Sequence, residues 1–177
     1  MSVDEIRRIR SGLRPGEKPF GFGTVNLVGR CDGNAEDVVA RCKDILRLVI
    51  PVDEKEWHSV DEWRKILPVW FVRSFAPERK EKPRAALDYE AWLKLSDDAK
   101  KGRARKTEKY NREAEWSLEA WLFWLHPSER PWRYWDCSAA NPDEVNWFVE
   151  VDGWPNALGA PMQLLKVCGA DEVVYEW

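Results

Sequence analysis

The sequence has 177 residues, of which 44% are hydrophobic and 33% charged, and its formal net charge at pH 7 is −3. A chain of this length and balance forms one domain with a substantial core. No apolar run approaches the roughly 20 residues of a membrane span, and the first residues, Met1 to Arg14, lack the apolar block of a signal peptide. We therefore expect a cytoplasmic protein without a membrane contact.

The residues that most often bind metals are scattered. No CxxC pair occurs, and no Cys/His group has the spacing of zinc ligands. We therefore expect no disulfide framework, no metal site and no cofactor, and we interpret the thiols on apolar helix faces as buried packing groups. The cysteines and histidines are Cys31, Cys42, Cys137, Cys168, His58 and His126.

Tryptophan is strongly enriched, with twelve in the chain. A buried indole removes about 200 Å² from water and needs a partner for its N–H. We interpret most of them as core residues. The alternative is that some are exposed and bind another molecule, because Trp is frequent at interaction hot spots. The expected core anchors are Trp63, Trp70, Trp121 and Trp147.

The first half of the chain contains helix and strand signals in alternation. Val3–Ile9 has the spacing of a short helix, and the alternation in Thr24–Arg30 predicts a half-buried strand. Asn34 suits the N-cap of a helix whose apolar residues recur at helical spacing through Val38–Val49. Pro51 ends that helix.

Four further helices are predicted in the middle of the chain. The capping-box pattern Ser59-Val60-Asp61-Glu62 precedes one, and Val69–Phe75 after Pro68 forms another or, alternatively, a buried strand. Asp88 is suited to cap a helix through Leu95. A strong apolar face predicts a helix over Tyr110–Leu125.

The last fifty residues predict a ββαβ unit. Trp132–Cys137 and Asn146–Asp152 form an antiparallel pair, Pro161 opens a helix that Gly169 closes, and Glu172–Trp177 forms the last strand. If the last two strands are parallel neighbours, their crossover is right-handed. The predicted fold is a single α+β domain over residues 1–177, a helical bundle packed on a small mixed β-sheet.

No specific catalytic motif is present. The glycines Gly21, Gly23 and Gly29 precede or lie within a strand, whereas phosphate-binding loops follow one, and no G-x-S-x-G elbow occurs. Cys137 could in principle meet a histidine, but a packed thiol is the stronger interpretation. Enzymatic activity therefore remains an alternative and not the main hypothesis.

A carboxylate and indole cluster is the first candidate ligand site. Trp135, Asp136, Glu150, Asp152 and Trp154 lie on or beside two adjacent predicted strands. Such a cleft would suit a sugar or acid–base hydrolysis. The alternative, which we favour, is that Glu150 and Asp152 form the solvent face of a strand.

A basic segment at 97–109, predicted as a loop between helices, is the second candidate. It could contact nucleic-acid phosphates, with Trp92 or Tyr110 stacking on bases. The pI of about 5.6 argues against a dedicated nucleic-acid binder, and a solvated loop is the favoured interpretation. Its candidate binding residues are Lys100, Lys101, Arg103, Arg105 and Lys106.

Charge is unevenly distributed along the chain. Arg73 to Arg112 contains 13 basic and 7 acidic residues, whereas Asp136 to Trp177 contains 8 acidic residues and one basic residue. A segregated acidic surface favours a basic protein partner. The leading hypothesis is a non-enzymatic interaction or accessory protein of bacterial type, such as an immunity-like protein. The alternative is a small-ligand or carbohydrate binder or hydrolase.

Overall fold

The computed structural model describes residues 3–19, 23–78, 96, 115–151 and 157–176. Within them the chain is α+β, as predicted, with six α-helices, a short 3-10 turn at Glu54–Glu56 and four strands. The helices are α1 (Val3–Ser11), α2 (Ala35–Val49), α3 (Val60–Ile66), α4 (Val69–Arg73), α5 (Leu118–Phe123) and α6 (Gly159–Cys168). The strands are β1 (Thr24–Arg30), β2 (Trp132–Asn141), β3 (Glu144–Val151) and β4 (Glu172–Glu176).

The four strands form one sheet in the order β2-β3-β1-β4, and every neighbouring pair is antiparallel. The prediction of a mixed sheet is therefore wrong in this detail. β3 and β4 do run in the same direction, but β1 lies between them, so they are not neighbours. β1 comes from the other end of the chain, and local sequence patterns do not indicate that it pairs between β3 and β4.

The connectivity from β1 onward is β-α-β-β-α-β, in which each helix joins two strands that are separated by a third. This is the split β-α-β arrangement of ferredoxin-like domains. α1 precedes it, and α3, α4 and α5 belong to an insertion between α2 and β2. The fold sets the positions of surfaces and does not by itself define a function.

The core lies between the sheet and the two helices α2 and α6. Odd-numbered residues of β1 face these helices: a Cβ at Gly29 would lie 3.8 Å from Leu165. Trp63, Trp121 and Trp147 are fully buried, which confirms them as core anchors. The indole N–H of Trp121 donates to the Ala160 carbonyl at 3.0 Å and so ties α5 to α6.

The fourth expected anchor, Trp70, is 41% exposed, so that prediction is wrong. Its neighbour Phe71 is the buried residue of α4, with its ring 5.0 Å from Trp121. A single helical turn presents only one large residue to the core. Trp70 instead lies 5.6 Å from the Arg41 guanidinium, a cation–π distance.

Local capping explains where the helices begin. Both bonds of the predicted capping box at Ser59 and Glu62 are present. Asn34 does occupy the N-cap of α2, but its side chain accepts no hydrogen bond from the first turn of the helix. Its amide instead donates to the Gly169 carbonyl at 3.4 Å. In its described part, the helix predicted from Tyr110 begins only after Ser117, whose hydroxyl accepts from the Ala120 N–H.

Other predictions concern parts of the chain that are not described. The helix from Asp88 to Leu95 and the basic segment at 97–109 fall there, and Ser96 between them is described. In the described ranges, no helix is both long and apolar enough to cross a bilayer.

The two neighbouring aromatics of α4 give a direct test of its orientation. We expect Phe71→Ala to lower the free energy of unfolding by about 3 to 5 kcal/mol, because it leaves a cavity in the core. Trp70→Ala should cost about 1 kcal/mol or less, since the indole is largely in water already. Urea denaturation of both variants measures the difference. Equal losses would contradict the orientation described.

Candidate functional site

The sheet has an outer face, the one turned away from α2 and α6. Even-numbered residues of β1 point to it, because side chains alternate along a strand. Their cross-strand partners share that face and extend it over all four strands. The outer face consists of Thr24, Asn26, Val28, Arg30, Arg133, Asp136, Ser138, Asn141, Glu144, Asn146, Phe148, Glu150, Glu172, Val174 and Glu176.

This outer face is acidic, with five carboxylates against the two basic residues Arg30 and Arg133. Two of the carboxylates are neutralised: Glu144 by an ion pair with Arg30, and Glu150 by Arg8 at 3.8 Å. Across the described ranges, no ion pair involves the other three. We call these three the carboxylate rim: Asp136, Glu172 and Glu176.

Apolar side chains lie within the acidic surroundings. Val28 and Val174 are cross-strand partners, and Phe148 lies beside them on β3. Val28 is buried, Phe148 half-buried and Val174 40% exposed. We call these three the apolar strip. An apolar centre with a charged border is the usual composition of a protein-binding surface.

Helix α1 covers one end of the outer face through Arg8. Its guanidinium lies 4.6 Å from the Trp135 ring centroid and 3.8 Å from Glu150, and its Nη1 donates to Glu17 at 3.1 Å. Trp135 occupies a β-bulge of β2. Glu150 was expected on a solvent face, but it is only 5% exposed and lies within ion-pair distance of Arg8.

A second buried ion pair fastens α1 to β2. The carboxylate of Glu5 accepts two hydrogen bonds from Arg130, both 2.8 Å long, and one of 2.6 Å from the Tyr134 N–H. Sequence reasoning missed this residue. The available signal was that Glu5 lies four positions before Ile9, on the buried side of a short helix, where an acidic residue needs a partner.

The predicted carboxylate and indole cluster is only partly described. Asp136 and Glu150 lie on adjacent strands, as expected, and the β-bulge at Trp135 brings Asp136 to the same face as Glu150. Trp135 and Glu150 lie beneath Arg8. Asp152 and Trp154 fall outside the described residues, so ligand binding by this set stays a prediction.

The predicted nucleic-acid residues belong to a part of the chain that is not described, and their role also stays a prediction. The residues concerned are Lys100, Lys101, Arg103, Arg105 and Lys106.

Nucleophilic chemistry has little support in the described ranges. Burial raises the pKa of the Cys137 thiol to about 12 and also raises that of Cys42. The His126 Nδ1 lies 2.8 Å from the Ser128 hydroxyl, but the carboxylate of Glu129 contacts the hydroxyl and not the imidazole. In a catalytic triad the acid orients the histidine. No metal-binding group occurs among the described side chains.

A cavity of about 410 Å³ lies where the β1–α2 loop meets the β2–β3 hairpin. Its lining includes Asn34, Glu36 and Asp37 at the start of α2. A helix N-terminus attracts anions, but two carboxylates in its first turn oppose that attraction. The cavity therefore offers no clear ligand chemistry.

Comparison with known proteins adds no functional assignment, since no family model, no curated protein and no solved structure matches this chain. The class that the structure defines is an α+β domain with a split β-α-β sheet and an acidic outer face.

Thiol reactivity tests the interpretation of the cysteines as packing groups. At pH 8 we expect Ellman's reagent to modify only the half-buried Cys31 in the native protein, and slowly, because burial and nearby carboxylates raise its pKa. The buried Cys42, Cys137 and Cys168 should react only after denaturation. Rapid native labelling of Cys137 would revive the nucleophile hypothesis.

The docking of α1 predicts a pH dependence through Glu17. The Arg14 N–H, together with hydrogen bonds from Arg7 and Arg8, lowers the pKa of Glu17 from 4.5 to about 2. A lowered folded-state pKa stabilises the fold above pH 4.5, and this stabilisation is lost as the pH falls toward 2. The melting temperature of wild type should therefore exceed that of Glu17→Gln at pH 6, and the two should converge near pH 2.

Glu56→Gln is the matched control, because Glu56 is exposed on the 3-10 turn and distant in sequence from α1. It should show no such convergence over the same pH range. A difference between wild type and Glu17→Gln that stayed constant down to pH 2 would contradict the prediction.

Proposed function

We propose that the protein is a non-enzymatic interaction module that binds a basic protein through the outer face of its sheet. The observation that carries the proposal is the carboxylate rim around the apolar strip. The rim would attract and orient a basic partner, and the exposed Val174 and half-buried Phe148 of the strip would supply the contact that excludes water. An accessory or immunity-like protein of bacterial type, acting in the cytoplasm on a basic toxin, would need such a surface.

Nucleic acid is a less suitable partner for this face. The carboxylates of the rim would repel phosphates, which dominate nucleic-acid affinity. Four-stranded sheets that bind RNA stack bases on exposed aromatic side chains. Phe148 is the aromatic residue of the described outer face, and it is half-buried.

The alternative of a small-ligand or carbohydrate site is supported less well. Such a site needs accessible indoles and carboxylates that converge on a cleft. Trp135 and Glu150 are instead buried against Arg8, where they help to hold α1 in place.

Affinity capture with charge-neutral variants tests the proposal. The immobilised protein should retain a basic protein from the source-cell lysate, and the triple variant Asp136→Asn/Glu172→Gln/Glu176→Gln should bind it about tenfold more weakly. Exposed charge pairs contribute about 0.2 to 1 kcal/mol each, and 1.4 kcal/mol is about tenfold in affinity.

The control variant Asp44→Asn/Asp61→Asn/Glu119→Gln removes three exposed carboxylates from helices and should bind like wild type. Equal retention by both triple variants would contradict the proposal, and so would a captured partner that is acidic.

A further inference from the structure

The two edge strands of the sheet, β2 and β4, differ in whether side chains occupy their outward-facing backbone groups. At the β2 edge, the Tyr134 N–H donates to Glu5 at 2.6 Å and the Tyr134 carbonyl accepts from Arg8 at 3.3 Å. Both side chains come from α1. An edge strand whose backbone groups are occupied in this way cannot pair with another chain at that point.

The direction of the backbone groups of β1 follows from one hydrogen bond. The Cys31 N–H donates to the Asp143 carbonyl at 2.8 Å, in register with the β1–β3 ladder. Backbone groups of successive residues alternate between the two sides of a strand. Odd-numbered residues of β1 therefore direct their N–H and C=O groups to β3, and even-numbered residues direct theirs to β4.

The same alternation fixes the outer edge of β4. Glu172, Val174 and Glu176 of β4 pair with even-numbered residues of β1, so their backbone N–H and C=O groups point toward β1. Val173 lies between Glu172 and Val174, so its backbone N–H and C=O groups point away from the sheet. In the described part of the chain, no group bonds to them.

From this asymmetry we infer that the partner adds an extended segment to the outer edge of β4 as a fifth strand. The inference rests on the proposed function and specifies how the basic partner binds. Strand addition uses backbone hydrogen bonds for affinity and alternate side chains for specificity.

The side chains of β4 define the sequence that would fit. Glu172, Val174 and Glu176 share the outer face, so the added strand should carry a basic, an apolar and a basic residue at alternate positions. A second copy of this chain is a poor occupant. An antiparallel pair of β4 strands centred on Val174 would place Glu172 opposite Glu176, and like charges directly opposite each other are destabilising.

The test uses a synthetic peptide, acetyl-TTKTVTKTT-amide with a fluorescent label, and measures binding to the full chain by anisotropy at low salt. In strand addition, lysine, valine and lysine lie opposite the outer-face residues of β4. In antiparallel addition, the arrangement of every strand pair in this sheet, the threonine that follows the valine lies opposite Val173 and exchanges both backbone hydrogen bonds with it. We expect saturable binding, weakened at least tenfold when the threonine that follows the valine is N-methylated.

Two peptides of equal charge are the controls. N-methylation of the two lysines, whose amides point away from β4, should change the affinity less than threefold. The rearranged peptide TKTTVTTKT moves each lysine to the opposite face from the valine and should bind at least tenfold more weakly. Equal binding of all four peptides would overturn strand addition and leave the binding of basic proteins standing. Absence of binding by the parent peptide would also overturn it.

A variant of the protein gives an independent readout. Val174→Lys introduces a charge at the centre of the edge and should abolish peptide binding, and Leu48→Lys on α2 should not. The two side chains are equally exposed, at 40% and 39%, so both variants should fold, which thermal melting verifies. Unchanged binding by folded Val174→Lys would contradict the inference.

Discussion

The buried carboxylate of Glu5 sets the position of α1 and, through it, the shape of the sheet surface. A charge removed from water costs several kcal/mol unless it is fully matched. Arg130 and the Tyr134 N–H provide three hydrogen bonds to it. Removing Glu5 would leave a buried guanidinium and an unpaired backbone donor, at a cost of about 3 to 5 kcal/mol. This interaction therefore places α1 across β2 in a single orientation.

Once α1 is fixed, Arg8 lies over the Trp135 ring and within ion-pair distance of Glu150, and both of these residues are buried. The carboxylates that stay accessible belong to the carboxylate rim. Closure of the β2 edge thus has two effects: it prevents pairing there, and it leaves β4 as the acidic edge on which a partner can act. The function we propose follows from this difference between the edges.

Local signals predicted much of the fold. Alternation located β1 at Thr24–Arg30, and the capping box located the start of α3. The strand order could not be predicted, because the pairing of β1 with both β3 and β4 joins distant parts of the chain. The prediction of the candidate site was limited for the same reason. Asp136 and Glu150 were expected on adjacent strands, but they share a face only because of the β-bulge at Trp135, and the Arg8 that contacts Glu150 comes from the first helix.

Amide hydrogen exchange tests the unequal edges most directly. In the free protein, the Tyr134 amide should exchange at the slow rate of the sheet interior, and Glu5→Gln should accelerate it selectively. The Val173 amide should exchange at least 100-fold faster than that of Tyr134, although its side chain is buried. The account would be contradicted if the Val173 amide exchanged as slowly as that of Tyr134, or if Glu5→Gln left the exchange rate of the Tyr134 amide unchanged.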